Sequence, residues 1–358
     1  MTFSRKFLGI APILAAATLL CACGGGSDDE APEHLFRQAR DFDLQAHRGG
    51  LGLVVENTIA SFTNALEMGV TTLELDAQIT SDGQAVVSHD RKITGQKCKD
   101  TGPVSAGDPL YPYVGRFIKD LTLAQVKSLD CGSLRLSAYP NQRLVPGAKM
   151  PTLREVFDLV KSYRADQVMM NVETKVEAGA PQETAPREQF VQVVVDEVRR
   201  SGLINQITIQ SFDWGALMLV RKMEPRLPIV ALTNGQQFLQ AGQPGPSPWL
   251  GGIDIDDFGG DLVKAAKSFG ADAISPVHGD PQGGKYGDAN YKPYTTPELV
   301  ARAHEAGLKV IPWTVADEKT MNYLLDAKVD GIITDLPDKL REVMAARKLQ
   351  LPQPAVKR

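Results

Sequence analysis

Apolar residues along this chain follow two rhythms. Short runs rich in Val, Ile and Leu stand at Asp43 to Ala46, Leu73 to Ala77, Val168 to Glu173, Ile207 to Gln210, Ile229 to Leu232, Ala273 to Ser275, Val310 to Trp313 and Gly331 to Thr334. Between most of them lie longer stretches with helical spacing, among them Thr58 to Met68, Thr152 to Tyr163, Arg187 to Ser201 and Thr296 to Ala306. Strands that alternate with helices pair in parallel, because each crossover helix returns the chain to the same end of the sheet. Eight such units predict an α/β fold, a TIM-type (β/α)8 barrel, which takes about 250 residues before insertions. Chemistry in such barrels sits at the carboxyl ends of the strands, where His47, Asp76, Glu173 and Trp313 fall.

One stretch departs from the strand and helix alternation. Thr71 to Ile79 and Gln84 to His89 read as two strands joined by Asp82-Gly83, a two-residue hairpin signal. With that loop Ile79 faces Val86 and Asp76 faces His89, while the period of two puts Glu74 on the same face. Further on, the apolar run from Gln167 ends in Glu173 and Lys175, which point the same way. Three carboxyl groups without a cysteine suit a hard cation, Ca²⁺ or Mg²⁺, whereas zinc favours His and Cys. We expect Glu74, Asp76 and Glu173 to hold it. Without a cation, these acids would form an ion-pair network with Arg48 and Lys175.

After the hairpin, Arg91 to Asp120 is rich in loop formers and holds Tyr111, Tyr113 and Phe117. A long loop in a compact domain is commonly a functional lid, and a lid over the site is the expectation. Ala241 to Gly260 and Val277 to Tyr294 read as further long loops on the active face. Gly283-Gly284-Lys285 lacks phosphate-loop spacing, and Asp254, Asp256 and Asp257 read as solvated acids.

Composition adds a compartment. Of 358 residues, 43% are hydrophobic, enough for one large barrel. Arg5 and Lys6 precede an apolar stretch from Phe7 to Leu20, an export signal too short to span a bilayer. Leu20-Cys-Ala-Cys23 is similar to a bacterial lipoprotein box, so residues 1–22 form the signal, Cys23 is the acylated residue, and residues 23–41 form a polar tether. Ordinary secretion is the alternative. The barrel then covers residues 42–346, with an insertion at about 91–120, and 347–358 is a tail. Export as a lipoprotein faces the chain to the periplasm or cell surface, and outside the cytoplasm Cys98 and Cys131 most simply pair as a disulfide, two inert buried thiols being the alternative. Removal of Arg5 and Lys6 leaves 37 basic against 43 acidic residues, a net of −6. No global field draws in nucleic acid or an anionic diester, so capture is local. The oligomeric state is left open by the sequence.

The ordered set His47-Arg48-Gly49, Glu56-Asn57-Thr58, Glu74-Leu75-Asp76, Thr80-Ser81-Asp82-Gly83, Val86-Val87-Ser88-His89-Asp90 and Glu173-Thr174-Lys175 resembles the glycerophosphodiester phosphodiesterase family. The likeness continues through Gln210-Ser211-Phe212-Asp213, Ile311-Pro312-Trp313-Thr314-Val315 and Gly331-Ile332-Ile333-Thr334-Asp335. It implies a barrel of the phospholipase C-like phosphodiesterase type, one divalent cation, and hydrolysis of glycerophosphodiesters to glycerol 3-phosphate and an alcohol. Val55 and Ala316 depart from the family pattern, which has Pro and often Asn there, and both changes bear on substrate fit.

On this reading His47 and His89, with ordinary pKa values near 6.5, serve as acid and base. Arg48 and Lys175 bind phosphate, and Glu56, Asn57, Phe212 and Trp313 form the substrate pocket or support it. The nucleophile is water or, as the family implies, the substrate's own glycerol hydroxyl. His34, His278 and His304 take no part, standing in the tether, in a loop and on an exposed helix face. Two other readings are phospholipase D-like or sphingomyelinase-like action on lysolipids, and a catalytically silent surface binding protein.

Overall fold

A computed structural model describes residues 34–38 and 41–357; the expected export signal and Cys23 lie outside the described residues. Eleven strands occur there: β1 Asp43–Ala46, β2 Thr72–Ile79, β3 Ala85–Val87, β4 Met169–Thr174, β5 Ile207–Ser211, β6 Ile229–Thr233, β7 Ala273–Pro276, β8 Gly279–Asp280, β9 Lys292–Pro293, β10 Lys309–Val310 and β11 Gly331–Thr334. The parallel order is β10-β7-β6-β5-β4-β2-β1-β11. Main-chain hydrogen bonds from Asp330 N to Val310 O and from Ile333 N to Pro312 O link the two ends into a ring. The architecture is a TIM barrel.

Period-two alternation sorts the strand residues into two shells. Leu44, Leu73, Leu75, Met170, Val172, Ile209, Ile229, Ala231 and Ile274 point outward and are covered by helices in the main core. The helix Leu153–Ser162 shows how: it buries Leu153, Val156, Phe157 and Val160, one stripe at helical spacing. Its start is fixed by a capping box between Thr152 and Glu155. The inward shell is layered. Phe36, Met169, Val230, Ala273, Ile311 and Ile333 form an apolar floor, and polar residues fill the barrel above it.

The hairpin between β2 and β3 pairs Ala77 with Val87 and Ile79 with Ala85, one residue away from the expected register. Its loop is Ser81-Asp82-Gly83, with Gly83 at φ 74° and Thr80 N bonded to Gln84 O. A third loop residue in the left-handed region suits glycine and shifts the pairing. Asp76 O therefore meets Ser88 N, and His89 stands just beyond the ladder. The seventh barrel strand is regular only over Lys309–Val310, because Pro312 brings no N–H, although Ile311 N and Trp313 N still bond to Ile274 O and Pro276 O.

The insertion after β3 runs on to about Met150 and builds its own core from Ile93, Tyr113, Ile118, Leu121, Val126, Leu129 and Met150. Tyr113 is fully buried in that core, so this one of the three expected lid aromatics serves the insertion itself, whereas Phe117 lines a cavity beside His89. Cys98 and Cys131 are joined within it, with an S–S distance of 2.08 Å.

The chain N-terminal to β1 is ordered sooner than a tether would be. His34 Nε2 lies 2.7 Å from Ile207 O, and the short helix Leu35–Gln38 sinks Phe36 into the barrel floor. The C-terminal stretch is docked as well: Arg341 donates to Gly69 O and Pro352 O, and Ala355 N to Leu66 O. Among the described residues no helix is long and apolar enough to cross a membrane.

Candidate active site

The site begins in the turn that follows β1. His47, Arg48 and Gly49 wind into a tight turn with φ 52° at Arg48 and 80° at Gly49. A Cβ on Gly49 would lie 2.6 Å from Ser61 Oγ and 2.8 Å from Ser61 C, so only glycine lets the turn rest on the helix Ile59–Met68. The turn aims His47 into the mouth. It also sends Arg48 N to Glu74 Oε2 at 2.9 Å.

Glu74 and Asp76 rise from β2, and Glu173 stands beside Asp76 on β4 in the observed register. All three are buried, and one carboxyl oxygen from each falls within 4.8 Å of the others. Burial and the neighbouring Asp76 and Glu173 raise Glu74 well above the usual carboxylic range. Burial raises Glu173 to about 7, against the pull of Lys175, whose Nζ is 2.8 Å away. Burial acts upward on Asp76 too, but Arg48, His89 and Lys175 outweigh it and hold this group low. Three carboxylates this close are frustrated without a cation, since like charges in a poorly solvated site repel strongly.

A cation fits. Asp76 Oδ1 is buried without a hydrogen-bond partner, whereas Oδ2 accepts from Asn57 at 2.9 Å. Glu74 accepts from Gln210 Nε2 at 2.7 Å. The donor set is all carboxylate, which suits a hard divalent ion.

The imidazoles flank this cluster. His47 Nδ1 is 2.5 Å from Asp335 Oδ1, and its Nε2 is 4.0 Å from Glu74. His89 Nδ1 is 2.8 Å from Asp90 Oδ1. Burial, then Lys175 and Arg48, keep the His89 imidazole well below its ordinary pKa. Each ring thus has Nδ1 engaged by a carboxyl group.

Most expected site residues meet here. His47, Arg48, Glu74, His89, Glu173, Lys175, Phe212 and Trp313 all line one cavity of about 1070 Å³, with Asp76 buried at its base. Glu56 and Asn57 sit behind the acids, where Glu56 accepts from Arg48 and Lys97. The Arg48 fork is therefore less available to phosphate than its chemistry suggested: Nη1 is 3.2 Å from Glu56 and Nε 3.3 Å from Asp76. Lys175 remains at the cavity wall.

Several participants were not anticipated. Tyr139, from the insertion, donates to Asp335 Oδ2 at 2.5 Å and completes a chain from insertion to imidazole. Inside the barrel Gln45 accepts from Asn171, which also donates to Gln210, which donates in turn to Glu74. That chain fixes the amide orientation at Gln210. Polar residues within apolar strand runs were the available signal for Gln45, Asn171 and Gln210. Tyr139 had none, being one tyrosine in a loop. His278 is buried, bonded to Tyr291 Oη at 2.7 Å and Gln282 O at 2.8 Å, and shapes the loop that walls the cavity. His34 belongs to the floor, and His304 is exposed beside Asp330, as expected of a helix surface.

Fold and site together define a (β/α)8 barrel with a cation-ready acidic centre between two histidines. The chain belongs to the glycerophosphoryl diester phosphodiesterase family, whose model matches residues 47–339. It is 29% identical to the glycerophosphodiester phosphodiesterase of Caldanaerobacter subterraneus subsp. tengcongensis over 82% of this chain and 94% of that one. Identity to the Bacillus subtilis glycerophosphodiester phosphodiesterase is also 29%, over 83% of this chain and 85% of that one. A solved structure from Silicibacter pomeroyi, assigned as a glycerophosphoryl diester phosphodiesterase, superimposes with a TM-score of 0.69 at 28% identity, covering 87% of this chain and 96% of that one.

Proposed function

We propose that this protein hydrolyses glycerophosphodiesters to glycerol 3-phosphate and an alcohol, with Glu74, Asp76 and Glu173 holding one Ca²⁺ or Mg²⁺ and with His47 and His89 moving the protons. The observation that carries this is the buried acidic triad, with one oxygen that has no hydrogen-bond partner, set between two imidazoles that each meet a carboxyl group through Nδ1. When bound, the cation supplies Lewis acidity toward phosphoryl oxygens and offsets the charge that develops on them. Asp335 and Asp90 orient the two rings, so one can take a proton while the other gives one. Lys175 adds a positive charge at the wall for the phosphoryl group. Arg48 keeps Asp76 ionised and holds Glu74 through its own N–H.

The test is release of glycerol 3-phosphate from glycerophosphocholine, read through a coupled dehydrogenase, before and after chelation and after return of Ca²⁺ or Mg²⁺. Activity that vanishes on chelation and returns with either ion supports the reading. Full turnover in chelator removes the cation assignment, and turnover of lysophosphatidylcholine alone would favour the lysolipid activity instead.

We further propose that the chain is exported and acylated at Cys23. The lipoprotein-type box supports this, and the Cys98–Cys131 bridge is at home in an oxidising compartment. Mass spectrometry of the mature N-terminal peptide checks it: an unmodified peptide beginning elsewhere than Cys23 rejects acylation.

A further inference from the structure

The insertion reaches the site at a second place besides Tyr139. Soon after β3 the chain turns so that Thr94 O accepts from both Lys97 N and Cys98 N. Cys98 is bridged to Cys131, and Lys99 and Asp130 exchange two main-chain hydrogen bonds of 2.8 and 3.0 Å. The backbone is thereby fixed on both sides of Lys97, and its side chain starts from a rigid base.

The ammonium group at its end lies between two acids. Lys97 Nζ is 2.8 Å from Glu56 Oε1 and 3.0 Å from Asp90 Oδ2. Asp90 gives its other oxygen to the imidazole, with Oδ1 2.8 Å from His89 Nδ1. Glu56 accepts from Arg48 Nη1 at 3.2 Å, and Arg48 Nε is 3.3 Å from Asp76 Oδ2. Groups of alternating sign therefore run Asp76, Arg48, Glu56, Lys97, Asp90, His89, from the acidic centre round to the ring. Lys97 is the one link between the Glu56 and Asp90 carboxylates in that series, and its loss would leave them facing each other as like charges.

Lys97 is not placed to meet substrate. His89 borders the cavity of about 1070 Å³ and Lys97 does not; Lys97 lines a separate pocket of about 40 Å³ with Glu56, His89, Cys98 and Cys131. Its route to the chemistry is Asp90. That carboxylate is partly exposed and could turn to water, and a second bond on Oδ2 holds Oδ1 against the ring. With Oδ1 on Nδ1, a neutral imidazole keeps its proton on Nδ1 and its lone pair on Nε2. Asp335 is held in the same way, since Tyr139 Oη donates to Oδ2 while Oδ1 meets His47. Both of these second donors come from the insertion.

We propose that Lys97 is a positioning residue for the reaction: it holds Asp90 on His89 Nδ1, so that the insertion sets the tautomer and aim of that ring. The proposal rests on the glycerophosphodiester reading and adds to it a residue that acts from behind the imidazole.

The experiment is a cycle of cation-loaded wild type, Lys97→Met, Asp90→Ala and the double variant on glycerophosphocholine, with melting temperatures beside it. Lys97→Met should lower kcat roughly five- to fiftyfold and leave KM within about twofold. The double variant should be no slower than Asp90→Ala by more than about twofold, because Lys97 acts through Asp90. Long-range proton-nitrogen correlation spectra of the histidine-labelled protein, with His89→Gln for assignment, read the tautomer directly. They should show the proton on Nδ1 in the wild type and a mixture in Lys97→Met. A kcat for Lys97→Met within about twofold of wild type, a loss confined to KM, or single losses that multiply in the double variant each overturn the proposal. Should Lys97→Met not fold, Lys97→Gln is read by the same criteria. A wild type that releases no glycerol 3-phosphate removes the parent reading, and the spectra then decide alone: a tautomer shift in the Lys97 variant keeps the positioning role, and an unchanged ring ends it.

Discussion

Asp335→Asn tests how the second histidine-bearing half of the site is held. Asp335 accepts from His47 Nδ1 and from Tyr139 Oη, each at 2.5 Å, with its side chain only 13% exposed. Hydrogen bonds to an ionised group contribute about 1.5–3 kcal/mol, against about 0.5–1.5 kcal/mol for neutral ones. Neutralising the carboxylate therefore weakens two bonds by roughly 1 kcal/mol apiece. Asparagine also has one donor end, so its amide must turn that end toward either Tyr139 or His47. Where it meets His47, the ring's tautomer reverses and Nε2 can no longer accept a proton.

Together these effects come to about 2–4 kcal/mol of transition-state stabilisation, roughly a 30- to 1000-fold loss in kcat. Steady-state release of glycerol 3-phosphate measures it, with melting temperature as the control for folding. Tyr139→Phe keeps the carboxylate and loses one of its two donors, so its kcat falls less, by roughly three- to tenfold. A well-folded Asp335→Asn variant with kcat within threefold of wild type would refute the argument that this carboxylate positions the catalytic ring.

Three further outcomes follow from the structure. In chelator, Glu173 is pushed up to about 7 from an ordinary value near 4.5, so the folded chain binds more protons than the unfolded one between those pH values. Stability from this group is present below about pH 4.5 and lost as pH rises through 7, by up to about 3 kcal/mol. Glu173→Gln should flatten that decline in melting temperature between pH 5 and 7.5, and parallel curves for the two proteins would contradict the assignment. Phe36→Ala empties a 3%-exposed position in the barrel floor and should cost about 3 kcal/mol in denaturant unfolding while activity at low temperature persists. The Cys98→Ser, Cys131→Ser double variant opens a 33-residue separation and should lose about 3–4 kcal/mol, checked by the same unfolding curves under oxidising conditions.

Glu74 and Asp76 share a face because strand side chains alternate, a rule that holds whatever the hairpin register. Their convergence was therefore legible even though the pairing of β2 with β3 differs by one residue. His89 arrived at the site for another reason: it stands beyond the ladder, in the loop at the strand end, where backbone direction is set by tertiary contacts. The lid expectation for Arg91 to Asp120 misplaced Tyr113, because loop composition cannot distinguish residues that cover a site from residues that form a small core of their own, whereas Phe117 of the same segment does line a cavity beside His89. Arg48 was legible as a site residue but not as one already engaged by Glu56 and Asp76.

What the sequence alone determined is whatever local rules encode. The period of two assigned the strands their faces, helical spacing alternated with them to make a parallel barrel, and the motif order placed acids and imidazoles at strand ends. The tertiary structure decided which partner each of those groups faces. The Tyr139–Asp335–His47 chain joins residues from an insertion, from the end of β11 and from the turn after β1, and the Gln45–Asn171–Gln210–Glu74 chain crosses four strands. Hydrogen bonds of this kind depend on distances between segments far apart in the chain, and no local pattern carries a distance.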